Sequence, residues 1–107
     1  MSNALSKTLQ ALADPTRREI LRLLSERDLS AGEIAENFDI SLPSVSHHLS
    51  TLKSAELVTT ERNGQSIVYS LNATVVQEFL QQMLDTFSVG VNNEKPRRTR
   101  GDMKKNV

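Results

Sequence analysis

Ser41-Leu42-Pro43-Ser44-Val45-Ser46-His47-His48-Leu49-Ser50-Thr51-Leu52-Lys53-Ser54-Ala55 is the stretch on which the fold turns. Ser41 suits an N-cap, because its hydroxyl oxygen accepts from the free amides of a first helical turn. Pro43 fits only within that turn, where its missing amide would be unpaired anyway. The segment therefore predicts a helix reaching about residue 55. On a helical wheel Val45, His48, Leu49 and Leu52 fall together, whereas Pro43, His47, Ser50 and Ser54 lie opposite, flanked by Ser46 and Thr51. One face packs. The other is small, polar and, apart from Lys53, uncharged, and no carboxylate occurs anywhere in 41–55. A surface helix selected for stability would carry Glu, Lys and Ala there, since Ser and Thr are poorer helix formers. Helix propensity is given up on the face that a phosphate backbone could approach and from which short side chains reach base edges.

Upstream, Leu5, Leu9 and Leu12 recur at helical spacing and predict a first helix over about 6–13. Asp14-Pro15 stops it and starts a second, the aspartate as N-cap and the proline pre-set for the first helical position. That helix runs to about Glu26 with Ile20, Leu21, Leu23 and Leu24 as its core face and Arg17, Arg18 and Arg22 left toward solvent or a partner. Ser30 caps a short third helix over 31–37, with Glu33 completing a capping box and Ile34, Ala35 and Phe38 buried.

Downstream, 57–62 and 66–71 are rich in Val, Ile, Thr and Tyr and flank Asn63-Gly64, a pair suited to a type I′ hairpin turn. A last helix, capped by Asn72 or Thr74, runs to about Val89 with Val76, Phe79, Leu80, Met83, Leu84 and Phe87 on one broad apolar face. Four helices, a two-stranded hairpin and a fifth helix make a mainly α (α+β) chain with the order of a winged helix-turn-helix. In that arrangement the 41–55 helix enters the major groove and the preceding one crosses the backbone.

With 107 residues, 37% hydrophobic and 24% charged, the chain suits one modest core. We expect a DNA-binding and dimerisation domain over 1–89 and a basic flexible tail over 90–107. The absence of cysteine excludes disulfides, thiolate metal sites and a cysteine nucleophile. No apolar run reaches the roughly 20 residues of a membrane span, and the start lacks a secretory apolar stretch, so the expectation is a cytoplasmic protein without membrane insertion. Net charge is zero, yet six basic residues against Glu94 and Asp102 give 90–107 a surplus of +4 and leave 1–89 at −4. For the tail, a solvated role stands first and added nonspecific DNA affinity second.

The residues that this reading assigns to DNA are Ser46, His47, Ser50 and Lys53 on the helix and Arg62, Asn63 and Gln65 at the hairpin tip. His48, on the apolar face, reads as a hydrogen-bonded core histidine rather than a ligand. The apolar faces of the first and last helices exceed what a small core covers, so Leu5, Leu9, Phe79, Leu80, Met83 and Phe87 are the expected interface of a two-fold homodimer. Catalysis is not expected: there is no Gly-rich phosphate loop, and Ser46 and His47, neighbours on a helix, diverge with no third partner. The alternative is a winged helix used only for protein–protein contacts, which would not need a carboxylate-free face.

Several ordered motifs carry a family resemblance. They are Asp14-Pro15-Thr16-Arg17-Arg18-Glu19-Ile20-Leu21, Ser44-Val45-Ser46-His47-His48-Leu49, Leu52-Lys53, Leu57-Val58, Arg62-Asn63-Gly64 and Tyr69-Ser70-Leu71. Over about residues 5–88 the chain resembles the ArsR/SmtB family of repressors. The resemblance implies a homodimer through the first and last helices that binds double-stranded operator DNA at an imperfect inverted repeat. It also implies Ser44, Ser46, His47 and Ser50 at the bases and the 62–65 tip at the backbone or minor groove. The chain departs from the metal-sensing members, whose cysteine pairs would fall where Ala31-Gly32-Glu33-Ile34-Ala35-Glu36 stands and whose His and carboxylate clusters would fall on the last helix, which here offers only Glu78 and Asp85. Neither metal nor cofactor is therefore expected. It is most similar to the metal-independent, SdpR-like members, for which relief by a regulatory protein partner is the corresponding expectation.

Overall fold

Asp14 and Pro15 divide the first two helices. In the computed structural model, which describes residues 3–88, α1 (Asn3–Leu12) ends just before them and α2 (Pro15–Glu26) begins at the proline. Helix α1 starts three residues earlier than expected. Leu5 is already buried there, and the buried Thr8 hydroxyl is satisfied by donating to the Ala4 carbonyl at 3.0 Å. Asp14 has extended backbone and its Oδ2 accepts from the Arg17 amide at 3.0 Å, so the expected N-cap forms.

Arg17 is half-buried rather than turned to solvent, whereas Arg18 is exposed as expected, and both guanidinium groups bond back to α1. Arg17 Nε donates to the Ala11 carbonyl at 2.7 Å and Nη2 to the Gln10 carbonyl at 3.0 Å, while Arg18 Nη1 reaches the Leu12 carbonyl at 2.8 Å. The last carbonyls of α1 lack helical donors, and the start of α2 supplies them with cations at the negative end of the helix dipole. Arg22 is exposed as well, paired with Glu19 and Glu26 at 2.7 and 2.8 Å. Pairs this exposed contribute little to stability.

Leu29–Ser30 forms a short strand, β1, before α3 (Ala31–Ala35). Ser30 makes the expected capping box with Glu33, but α3 stops at Ala35 rather than near residue 37. The amides of Asn37 and Phe38 bond the carbonyls of Ile34 and Ala35, three residues back, which tightens the last turn and ends the helix. Helix α4 (Leu42–Ser54) follows, capped by Ser41. It ends in a Schellman arrangement: the Glu56 amide bonds the Lys53 carbonyl at 2.9 Å and the Leu57 amide the Leu52 carbonyl at 3.0 Å, with Glu56 at φ 63°.

Strands β2 (Val58–Asn63) and β3 (Ser66–Leu71) pair antiparallel from Val58↔Leu71 to Asn63↔Ser66. The hairpin is thus the expected wing, but its central residues are Gly64 and Gln65, not Asn63 and Gly64. Gly64 has φ 68°, and Gln65 is not among the positive-φ residues. A positive φ at the first central residue alone is the pattern of type II′ and not of type I′. The sheet also has a third member, in the order β1-β3-β2, because Leu29 and Ser30 pair with Tyr69 and Val68. Two residues are too few for a strand period to show in a sequence.

The core joins these elements: Ile20, Ile34, Val45, Leu49, Leu52, Leu57 and Val58 are fully buried, with Ala11, Leu24 and Leu29 beside them. Each aliphatic side chain of this size contributes about 1.5–3 kcal/mol by leaving water. Helix α5 (Ala73–Thr86) is capped by Asn72, whose Oδ1 accepts from the Val75 amide at 3.3 Å, and its Val75 and Val76 pack on the core. With α3 and α4 as the helix-turn-helix and β2-β3 as the wing, the architecture is a winged helix-turn-helix.

The chain divides into two compact units, Met1–Gln77 and Glu78–Val107. In the second, the described residues 78–88 leave Leu80 and Phe87 53% and 67% exposed and Phe79, Met83 and Leu84 half-buried. The expected basic tail lies outside the described residues.

Candidate nucleic-acid interface

Helix α4 places the site because its two faces have opposite fates. Val45, Leu49 and Leu52 are wholly buried, and they fix the rotation of the helix about its axis. Pro43, Ser44, Ser46, His47, Ser50, Lys53 and Ser54 are all exposed as a consequence. Their side chains are short, and Lys53 is the one formal charge among them. The Ser41 hydroxyl accepts from the Ser44 amide at 3.3 Å and donates to the Ser44 hydroxyl at 3.1 Å, which orders the first turn where Ser44 emerges. Thr51 is half-buried and donates to the His47 carbonyl at 3.2 Å.

The two histidines separate as their positions on the wheel require. His47 is exposed. His48 keeps only 18% of its side chain exposed; its Nδ1 lies 3.3 Å from Arg17 Nη1 and 3.9 Å from Asp14 Oδ2. Arginine has no acceptor, so in a hydrogen bond between them the histidine Nδ1 is the acceptor. Asp14 sits below its ordinary carboxylate range, first because the Arg17 amide bonds it, with the nearby Arg17 charge adding to the effect and burial opposing it. This Asp14–Arg17–His48 cluster locks α4 to the α1–α2 junction. His48 itself reads in sequence as a bonded core histidine, but its partner 31 residues away leaves no local signal.

At the wing tip Arg62, Asn63 and Gln65 are exposed together, and the Arg62 guanidinium turns back to the Gly64 carbonyl at 3.5 Å. The eight assigned residues thus form two groups on different elements, five on α4 and three on the wing. Lys7, which sequence reasoning passed over, is exposed on α1 and lines an open cleft of about 360 Å³ with Gln10, Ala11, Ser50, Thr51, Ser54 and Ala55. Of the residues expected at a dimer interface, Leu9 is 45% exposed whereas Leu5 is 6% exposed within the chain itself.

Residues 14–60 match the bacterial regulatory protein family named for arsR. A transcriptional repressor, SdpR of Bacillus subtilis, is 49% identical over 83% of this chain and 99% of its own length. An arsenical resistance operon repressor of Staphylococcus xylosus is 44% identical over 76% of this chain and 77% of its own. Among solved structures, an ArsR-like transcriptional regulator from Rhodococcus sp. RHA1 superposes with a TM-score of 0.71 at 28% identity, covering 79% of each chain.

Proposed function

Since this chain belongs to the ArsR family of bacterial regulatory proteins, and is accordingly a winged helix-turn-helix DNA-binding regulator of transcription rather than an enzyme, we propose that it acts as a homodimeric repressor at an inverted-repeat operator. The observation that carries this reading is the exposed, carboxylate-free face of α4 opposite three fully buried anchors. On it, Ser44, Ser46, His47 and Ser50 reach base edges in the major groove, Lys53 meets the phosphate rim, and Arg62, Asn63 and Gln65 meet the backbone or minor groove at the wing. A second copy covers the exposed apolar residues Leu9, Leu80 and Phe87 together with the half-buried Phe79 and Met83, while Leu5 is already buried by its own chain, leaving domain 1–89 as reader and dimeriser. Two reading helices then address half-sites about 10 base pairs apart, centre to centre.

The regulator works without a resident metal. A soft or thiophilic ion needs thiolates, and the chain has no cysteine. Among the described residues no group of three or more His, Asp or Glu converges. His47 and His48 point apart, their rings 6.2 Å centre to centre, and His48 is engaged by Arg17. No helix among the described residues is long and apolar enough to cross a membrane, in keeping with a protein that meets DNA in the cytoplasm.

The test is a fluorescence-anisotropy titration of the purified protein against DNA from its own upstream promoter region and against scrambled DNA, at near-physiological salt, with and without a chelator. Binding about a thousand-fold tighter to promoter DNA, unchanged by chelator, is the expected result. Equal, weak binding to both would move the chain to a winged helix used for protein contacts.

A further inference from the structure

The cleft between α1 and α4 borders the reading face on the side away from Lys53. Its lining joins Lys7 and Gln10 of α1 to Ser50, Thr51 and Ser54 of α4. At about 100° per residue, Pro43, His47, Ser50 and Ser54 centre the exposed face, with Lys53 about 80° to one side of that centre and Thr51 about 80° to the other. Lys7 therefore stands over the edge that Thr51 marks. Neither helix brings a carboxylate to the cleft, since neither 3–13 nor 41–55 contains one; Asp14 and Glu56 stand just beyond these spans. Among the described residues none of the ion pairs involves Lys7.

Around α1 itself, Lys7 projects about 160° from Leu9. Covering the exposed Leu9 side with a second copy would leave the lysine open. A helix lying in a major groove has a phosphate strand along each side, so a cation on either edge of the reading face meets one rim each.

Resting on the reading of α4 as the groove-bound helix, we propose that Lys7 is a DNA contact. Its ammonium pairs with a phosphodiester oxygen on the rim opposite the one that Lys53 meets. The contact holds position without reading sequence, because a phosphate is the same beside every base.

Each phosphate neutralised releases condensed counterion, which makes the contact countable from salt dependence. Affinities of the wild type, Lys7→Gln and Lys7→Arg are measured by anisotropy for promoter and scrambled DNA over a series of salt concentrations. In Lys7→Gln the slope of log affinity against log salt becomes shallower by about one per lysine engaged, about two for a dimer, and the promoter-to-scrambled ratio keeps its value. Lys7→Arg retains the wild-type slope, and this separates lost charge from a disturbed fold. An unchanged slope in Lys7→Gln overturns the proposal, as does a loss confined to promoter DNA, which would mark base reading instead. Because the slope is read on scrambled DNA too, equal wild-type binding to both DNAs would remove the specific-operator reading while leaving Lys7 to be judged. A wild type that binds neither DNA overturns both.

Discussion

Arg17 Nη1 lies 3.3 Å from His48 Nδ1, a contact between residues 31 apart in the chain. The same guanidinium donates to the carbonyls of Gln10 and Ala11, so one side chain holds the end of α1, the start of α2 and the inner face of α4 together. Removing it leaves half-buried acceptors on two elements without a donor. We expect Arg17→Ala to lower folding stability by about 1–3 kcal/mol in urea denaturation. Arg17→Lys should recover only part of this, because an ammonium cannot reproduce the planar fork. A lysine variant as stable as the wild type would show that charge alone matters at this site.

The Asp14 carboxyl titrates lower in the folded chain than in the unfolded one, first because of the Arg17 amide bond. A depressed folded value means that its stabilisation is present above the unfolded pKa, about 3.9, and is lost as pH falls through the folded value. Asparagine caps a helix about as well but carries no charge. The melting temperature of Asp14→Asn should therefore lie below that of the wild type at neutral pH, and the gap should close as pH drops below about 4. A gap constant over that range would mean that the charge contributes nothing.

Glu56 occupies the left-handed position after α4 at φ 63°, where a side chain is disfavoured and glycine is not. Both Schellman hydrogen bonds, from its own amide and from that of Leu57, are backbone bonds that a glycine keeps. Glu56→Gly should raise stability by about 0.5–1 kcal/mol, the relief of strain outweighing the greater freedom of glycine in the unfolded chain. Chemical denaturation decides the sign.

His47 is exposed at the middle of the α4 reading face, whereas its neighbour His48 is held inside. His47→Ala should cost on the order of 1–3 kcal/mol on operator DNA while leaving dimerisation intact. Unchanged operator affinity would remove His47 from base reading.

Leu80, on α5, is 53% exposed. A charge there is harmless to a chain on its own and costly at an apolar interface, so Leu80→Glu should weaken self-association by at least about 30-fold in sedimentation equilibrium, roughly 2 kcal/mol. Unaltered association would place the interface elsewhere.

Local chemistry by itself determined the starts of α2, α3 and α4, the presence of the wing and the two faces of α4. Asp14 before Pro15, Ser30 with Glu33 and Ser41 before Pro43 each satisfy amides within three residues, so their geometry is a property of the segment alone. Alternation of apolar and polar positions separated Val45, Leu49 and Leu52 from Ser46, His47 and Ser50 in the same way. Only the tertiary structure decided what depends on meeting across the chain. The pairing of Leu29 and Ser30 with Tyr69 and Val68 is one instance, and the register that moved the hairpin turn onto Gly64-Gln65 is another. The return of Arg17 to the α1 carbonyls and to His48, and the placing of Lys7 beside Ser50, belong with them. Long side chains such as arginine and lysine have many rotamers and several possible acceptors, and only the packed positions of distant elements select one.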